Sequence, residues 1–258
     1  MTITTIATHV RPGTEAEVAR RLAPALAVAE GFGAWVSALV FAVDGGEAQE
    51  AASGAAAEAM LARRGVRGEV RARSSFAYGA GEVFADQARV SDIAVLSHDP
   101  ALGMAGRLVL AGAVFDSGRP VLVVPEATGL ARLPKRVMVG WDASPAAARA
   151  VAGALPFLRL AEETVVATVS GDKALRPGQS GVELAHLLAR HQVRASFASV
   201  PAGSGGPMAT LAAAAQERGA ELLVVGAVRH SPLHDMVFGS VTGTLFRGGA
   251  AMPFLVAA

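Results

Sequence analysis

The residues of this chain whose types and spacing suit chemistry gather in two segments of its second half. Gly140-Trp141-Asp142-Ala143-Ser144-Pro145 places a carboxylate directly after an apolar run, and a second segment opens at Gly226, continues through Arg229, and after nine further residues reaches Gly239-Ser240 and Thr242. An ionised carboxylate only accepts hydrogen bonds, so Asp142 suits the amino or hydroxyl groups of a ligand and repels phosphate. Glycine lets the main chain approach a ligand closely and adopts positive φ. Amides at the start of a helix around Gly239 to Thr242 would donate to phosphate oxygens with the helix dipole behind them, and the hydroxyls of Ser240 and Thr242 add donors. Arg229 brings a long cation into the same segment, where it either fills the phosphate space or grips phosphate through two N–H groups.

Each of these features also has a plainer use. Asp142 can close an Asx turn ahead of a helix, and Gly239-Ser240 can be a turn and an N-cap; their joint spacing with Gly226 is what favours a site. His230 and His234 stand at helical i, i+4 spacing, but Pro232 lies between them and a third metal ligand is not apparent. Trp141 next to Asp142 reads as core packing. There is no Gly-x-x-x-x-Gly-Lys-Ser/Thr loop, the lysines being Lys135 and Lys173, no cysteine for a thiol nucleophile and no Gly-x-Ser-x-Gly elbow.

The elements that must position these residues alternate along the chain. Short apolar runs near Ile3 to Thr8, Trp35 to Val43, Val66 to Arg71, Ile93 to Leu96 and Pro120 to Val124 are separated by helix-like stretches, and the alternation repeats near Val137 to Trp141, Thr164 to Ser170, Val193 to Val200, Leu222 to Val225 and Pro253 to Val256. Continuous apolar strands between helices predict a parallel sheet covered on both faces. Thr14 with Glu17 has capping-box spacing, and Ser144-Pro145 places a cap before a first-turn proline, so a helix is expected directly after the first strand of each half. The glycine-rich stretches Tyr78-Gly79-Ala80-Gly81 and Gly203-Ser204-Gly205-Gly206-Pro207 read as flexible loops.

The two sets of runs are copies of one another. Ala62-Arg63-Arg64-Gly65-Val66-Arg67 returns as Ala189-Arg190-His191-Gln192-Val193-Arg194, and Arg119-Pro120-Val121-Leu122-Val123 returns as Met252-Pro253-Phe254-Leu255-Val256. The 258 residues therefore read as two domains, residues 1–127 and 134–258, with the proline-bounded segment from Pro125 to Pro134 between them. In the first copy His9 is expected in the place of Asp142, Ser97 in that of Gly226 and Gly106-Arg107 in that of Gly239-Ser240, with a shorter loop between them. That copy reads as degenerate.

A net charge of +1 and 5% aromatics provide no footprint for nucleic acid. The first residues lack the basic and apolar regions of a signal peptide and no run is long enough to cross a bilayer, so the expected location is the cytoplasm.

The spacing Gly226, Arg229, Gly239-Ser240, with Asp142 after the first strand, resembles the universal stress protein family, whose nucleotide-binding members carry Gly, two residues, Gly, nine residues, then Gly followed by Ser or Thr. Arg229 departs from the second glycine. The resemblance implies a tandem member with two doubly wound parallel five-stranded α/β sheets of adenine nucleotide alpha hydrolase type, strand order 3-2-1-4-5. It implies an adenine nucleotide, ATP or ADP with or without Mg2+, bound in the second half as a sensor rather than as an efficient enzyme. Asp142 would hold the nucleoside; Gly226, Gly239, Ser240 and Thr242 would hold the phosphates, with Arg229 assisting or obstructing. The alternative is an interaction protein of the same fold with its site closed by Arg229. The last strands of the two copies, apolar edges if left alone, are expected to pair as an intrachain pseudo-dimer. An unidentified protein partner and a further homodimer are compatible with this reading.

Overall fold

The structure, a computed structural model, describes residues 2–41, 46–72, 79–99, 104–171, 180–227 and 252–258. The chain divides into two units, Met1–Leu133 and Pro134–Ala258.

In the first unit the elements run β1 (Thr5–Val10), α1 (Glu15–Phe32), β2 (Trp35–Val40), α2 (Glu47–Arg63), β3 (Gly68–Ala72), α3 (Ala80–Arg89), β4 (Ile93–His98), α4 (Met104–Asp116) and β5 (Val121–Pro125). The strands lie in the order β3-β2-β1-β4-β5 and every pairing is parallel. Ile6, Val36, Ile93 and Leu122 are fully enclosed, as the continuous apolar strands require of a sheet covered on both faces. Thr14 forms the expected capping box: its hydroxyl accepts from the Glu17 amide, and Glu17 accepts from the Thr14 amide at 2.8 Å. At the other end of α1, Gly33 takes the left-handed conformation, φ 68°, that ends a helix without a Cβ clash.

Asp92 fastens the amino ends of the two central strands together. Its Oδ2 accepts from the Thr4 amide at 2.8 Å, the Thr4 hydroxyl at 2.7 Å and the Thr5 amide at 3.0 Å. Burial disfavours the charged carboxylate, but these three donors outweigh it and hold Asp92 below the ordinary aspartate range.

In the second unit the order is β6 (Arg136–Gly140), α5 (Pro145–Leu160), β7 (Glu163–Ser170), α6 (Gly181–Arg190), β8 (Ala195–Pro201), α7 (Gly206–Glu217), β9 (Leu222–Gly226) and β10 (Phe254–Ala257). Its strands lie in the order β8-β7-β6-β9-β10, again all parallel. Each unit thus has strand order 3-2-1-4-5. Ser144 caps α5 as expected, accepting from the Ala147 amide at 3.0 Å, with Pro145 in the first turn.

The glycine-rich stretches differ from their reading as loops. Ala80 and Gly81 belong to the first turn of α3, where a Cβ on Gly81 would lie 2.6 Å from the Leu108 carbonyl oxygen of α4. Gly206 and Pro207 open α7, so only Gly203, Ser204 and Gly205 precede that helix; Tyr78 lies outside the described residues. Close helix packing in the first case and helix initiation in the second account for the glycines.

Candidate functional site

In each unit the chain runs outward from the first strand in one direction and then returns to its other side, so the carboxyl ends of β1 and β4, and of β6 and β9, flank the point where the sheet order reverses. Open parallel sheets bind ligands in that crevice.

In the second unit, β6 ends at Gly140 and the next residues turn sharply into α5. Asp142 Oδ1 accepts from the Ser144 amide at 2.9 Å, closing an Asx turn, while Ala143 between them sits at φ 57°. A non-glycine residue in that left-handed region carries a steric cost of about 1 kcal/mol, which the Asx turn and the Ser144 cap offset. Across the crevice, β9 ends at Gly226. A Cβ there would lie 2.4 Å from the Ala147 amide nitrogen and 2.7 Å from the Ala146 carbonyl carbon, so the bare main chain is what lets the first turn of α5 seat against β9. The β6–β9 register runs from Val137 opposite Leu222 to Val139 opposite Val224, and the two strands end side by side at Gly140 and Gly226. Asp142, two residues past the end of β6, and Gly226, the last residue of β9, each have a structural task beside this crevice. Arg229, Gly239, Ser240 and Thr242, with His230 and His234, lie outside the described residues. Trp141 is half-exposed at the crevice rather than part of the core, its carbonyl accepting from the Thr168 hydroxyl at 3.1 Å.

The first unit corrects one equivalence. Ile6 pairs with Val36 and Ile93 as Val137 pairs with Thr164 and Leu222. Counting along the strands from those anchors, Ser97 does take the place of Gly226, but His9 takes that of Gly140, while Asp142 lies two residues further on, in the turn after β6. Matching the two segments by their prolines missed this, because the prolines are not equivalent: Pro12 lies two residues before the Thr14 cap, whereas Pro145 follows the Ser144 cap. His9 is a packing residue: its Nε2 donates to the Phe41 carbonyl at 3.1 Å, and its ring lies 4.2 Å from that of Phe41 and 6.3 Å, edge-on, from that of Phe84. Burial pushes its pKa down to about 4, so it is neutral at pH 7.

Around Arg11 the first unit has built an ion-pair cluster. Glu126 accepts from Arg11 at 3.0 Å and from Arg20 at 3.1 Å and stands 3.5 Å from the buried Arg21, which also donates to the Arg11 carbonyl at 2.9 Å. No strand pattern foretold this cluster, since its members come from α1 and from the residues just past β1 and β5. Among the described residues, no group of three or more His, Cys, Asp or Glu is placed to hold a metal, and no helix is long and apolar enough to cross a membrane.

Fold and crevice define a tandem α/β protein of the doubly wound parallel class. Residues 134–256, nearly the whole of the second unit, match the sequence model of the universal stress protein family. Among solved structures, the chain is similar to a universal stress protein from Archaeoglobus fulgidus DSM 4304, with TM-score 0.69 and 15% identity over 97% of each chain. It is also similar to a putative universal stress protein from Pseudomonas aeruginosa UCBPP-PA14, with TM-score 0.63 and 18% identity over 99% of this chain and 93% of that one. At these identities the likeness is one of fold. A comparison with proteins of curated function finds no match.

Proposed function

We propose that the second unit binds an adenine nucleotide, ATP or ADP, in the crevice between β6 and β9 and acts in stress response as a sensor rather than as an efficient catalyst. The observation that carries this reading is that β6, followed by Asp142, and β9, which ends at Gly226, flank the point where the sheet order reverses, in a unit that matches the universal stress protein family. The carboxylate of Asp142 suits the amino group of the base or the ribose hydroxyls; Gly226 starts the segment whose Arg229, Gly239, Ser240 and Thr242 would meet the phosphates, and any Mg2+ would travel with those phosphates.

A second reading is favoured by a specific observation. The Asx turn of Asp142 and the α5 contact of Gly226 already account for both residues without a ligand, which is what an interaction protein of the same fold, its site filled by Arg229, would retain. Calorimetric titration of nucleotide-stripped protein with Mg-ATP, AMP and adenosine separates the two. Saturable heat is expected, lost in Asp142→Ala; no heat and no thermal stabilisation at millimolar nucleotide overturns the first reading. Arg229→Gly then decides the role of the cation, since it restores binding only if Arg229 obstructs.

A further inference from the structure

Among the described residues, β3 has β2 on one side and no strand on the other. The Val36 amide of β2 donates to the Arg67 carbonyl at 3.0 Å. In a parallel ladder alternate residues turn their main-chain groups toward the neighbour, so the N–H and C=O of Gly68, Val70 and Ala72 point away from β2. An edge of this kind is a template for a further strand, and natural edges are commonly blunted by charge.

The charges of β3 stand in an order that selects one pairing. Glu69 and Arg71 share a face and pair with each other at 2.7 Å; Glu69 also accepts from the Ser37 hydroxyl at 2.9 Å, and Arg71 donates to Gln87 at 3.2 Å. If two β3 strands run antiparallel about Val70, all five residues overlap and each Glu69 stands opposite Arg71 of the second copy. The outward groups of Gly68, Val70 and Ala72 then exchange hydrogen bonds, and the charged residues fall at the intervening positions, where opposite side chains approach most closely. A pair centred on Glu69 would instead set Glu69 against itself and Arg67 against Arg71, and one centred on Arg71 would set that cation against itself. Like charges directly opposite destabilise a sheet, while opposite charges support it.

An open crevice of about 550 Å³ lies along the same edge, where Gly68, Glu69 and Val70 meet Trp35, Leu61 and Val66. Its apolar wall is partly in solvent, Trp35 being 40% exposed. We infer that the first unit binds a second copy of this chain through β3, the two strands antiparallel about Val70 and related by a two-fold axis. Such a contact is isologous, so one short strand supplies both halves of the charge pattern, and the sheet continues from one copy into the other. Val70 of each copy is then covered by its counterpart. The pairing does not depend on nucleotide binding in the second unit.

Sedimentation velocity of the full chain through the micromolar range tests this. A reversible dimer of twice the 26.1 kDa chain mass is expected. Val70→Pro removes an N–H that β2 does not use, a change that edge strands tolerate, and should leave a monomer. Arg71→Glu alters an exposed side chain and serves should Val70→Pro fail to fold; it should raise the dissociation constant about tenfold or more. Adding Glu69→Arg to Arg71→Glu exchanges the charges and should restore the dimer. A monomer at every concentration overturns the proposal, as does a dimer that either single variant leaves unchanged. Failure of the exchanged pair to recover association overturns the register about Val70.

Discussion

Asp142 has two tasks that one substitution would confound. Asparagine keeps an oxygen for the Ser144 amide but lacks the carboxylate, whereas alanine loses both. Asp142→Ala is expected to destabilise the second unit by about 1 kcal/mol in urea denaturation, and Asp142→Asn to stay within about 0.5 kcal/mol of the parent while still weakening nucleoside binding. Equal binding by the Asn variant and the parent would remove the carboxylate from the site. In the first unit the residue to watch is His9. The unfolded chain takes up its proton near pH 6.5, the folded chain refuses it until about pH 4, and His98 is shifted in the same direction, by burial above all. Between those limits the unfolded state binds more protons, so stability is lost as pH falls. A drop in the urea midpoint of the first unit is expected from pH 6.5 to 4.5, above the range where the lowered Asp92 titrates, and His9→Gln should flatten it; an unchanged slope in that variant would refute the assignment. His9 and Asp142 were both visible in the sequence as residues near strand ends. That they do not correspond was not, because the prolines that invite the match stand on opposite sides of their helix caps and only the strand register shows it.

At the scale of elements, two helix glycines of the first unit make opposite predictions. A Cβ on Gly112 of α4 would lie 2.3 Å from the Gly81 carbonyl oxygen of α3, a backbone atom that cannot swing aside, while a Cβ on Gly54 of α2 would meet only Val70 Cγ1 at 4.0 Å. Gly112→Ala should therefore cost about 1–3 kcal/mol through overpacking, and Gly54→Ala should gain about 0.5–1 kcal/mol from helix propensity alone. Denaturant melts of the two variants check both signs; stabilisation of both would mean that α3 and α4 do not approach as closely as described. Helix starts were legible in the sequence because a cap and the amide that donates to it lie within one turn, as Thr14 with Glu17 and Ser144 with Ala147 show. The contact of Gly81 with Gly112 was not, since the two glycines are far apart along the chain and only the packing of α3 on α4 brings them together.

For the whole molecule, the difference between the two crevices sets the stoichiometry. The second unit offers Asp142 after its first strand, where the first unit gathers the ion pairs of Arg11, Arg20 and Arg21 with Glu126, so one adenine nucleotide per chain is expected in the titration described above, and two equal sites would show that this difference does not matter. The alternation of apolar runs with helix-like stretches, present twice, was enough to determine the α/β class and the five parallel strands of each copy, because burial on both sheet faces writes itself into consecutive residues. The motif spacing was likewise enough to direct attention to the universal stress protein family. Tertiary structure alone decided that His9 takes the place of Gly140 rather than of Asp142, that Arg11, Arg21 and Glu126 meet, and that Gly226 makes room for α5. Those facts depend on which residues of different strands and helices stand side by side, and pairing between distant segments leaves no periodic trace in the chain that forms it.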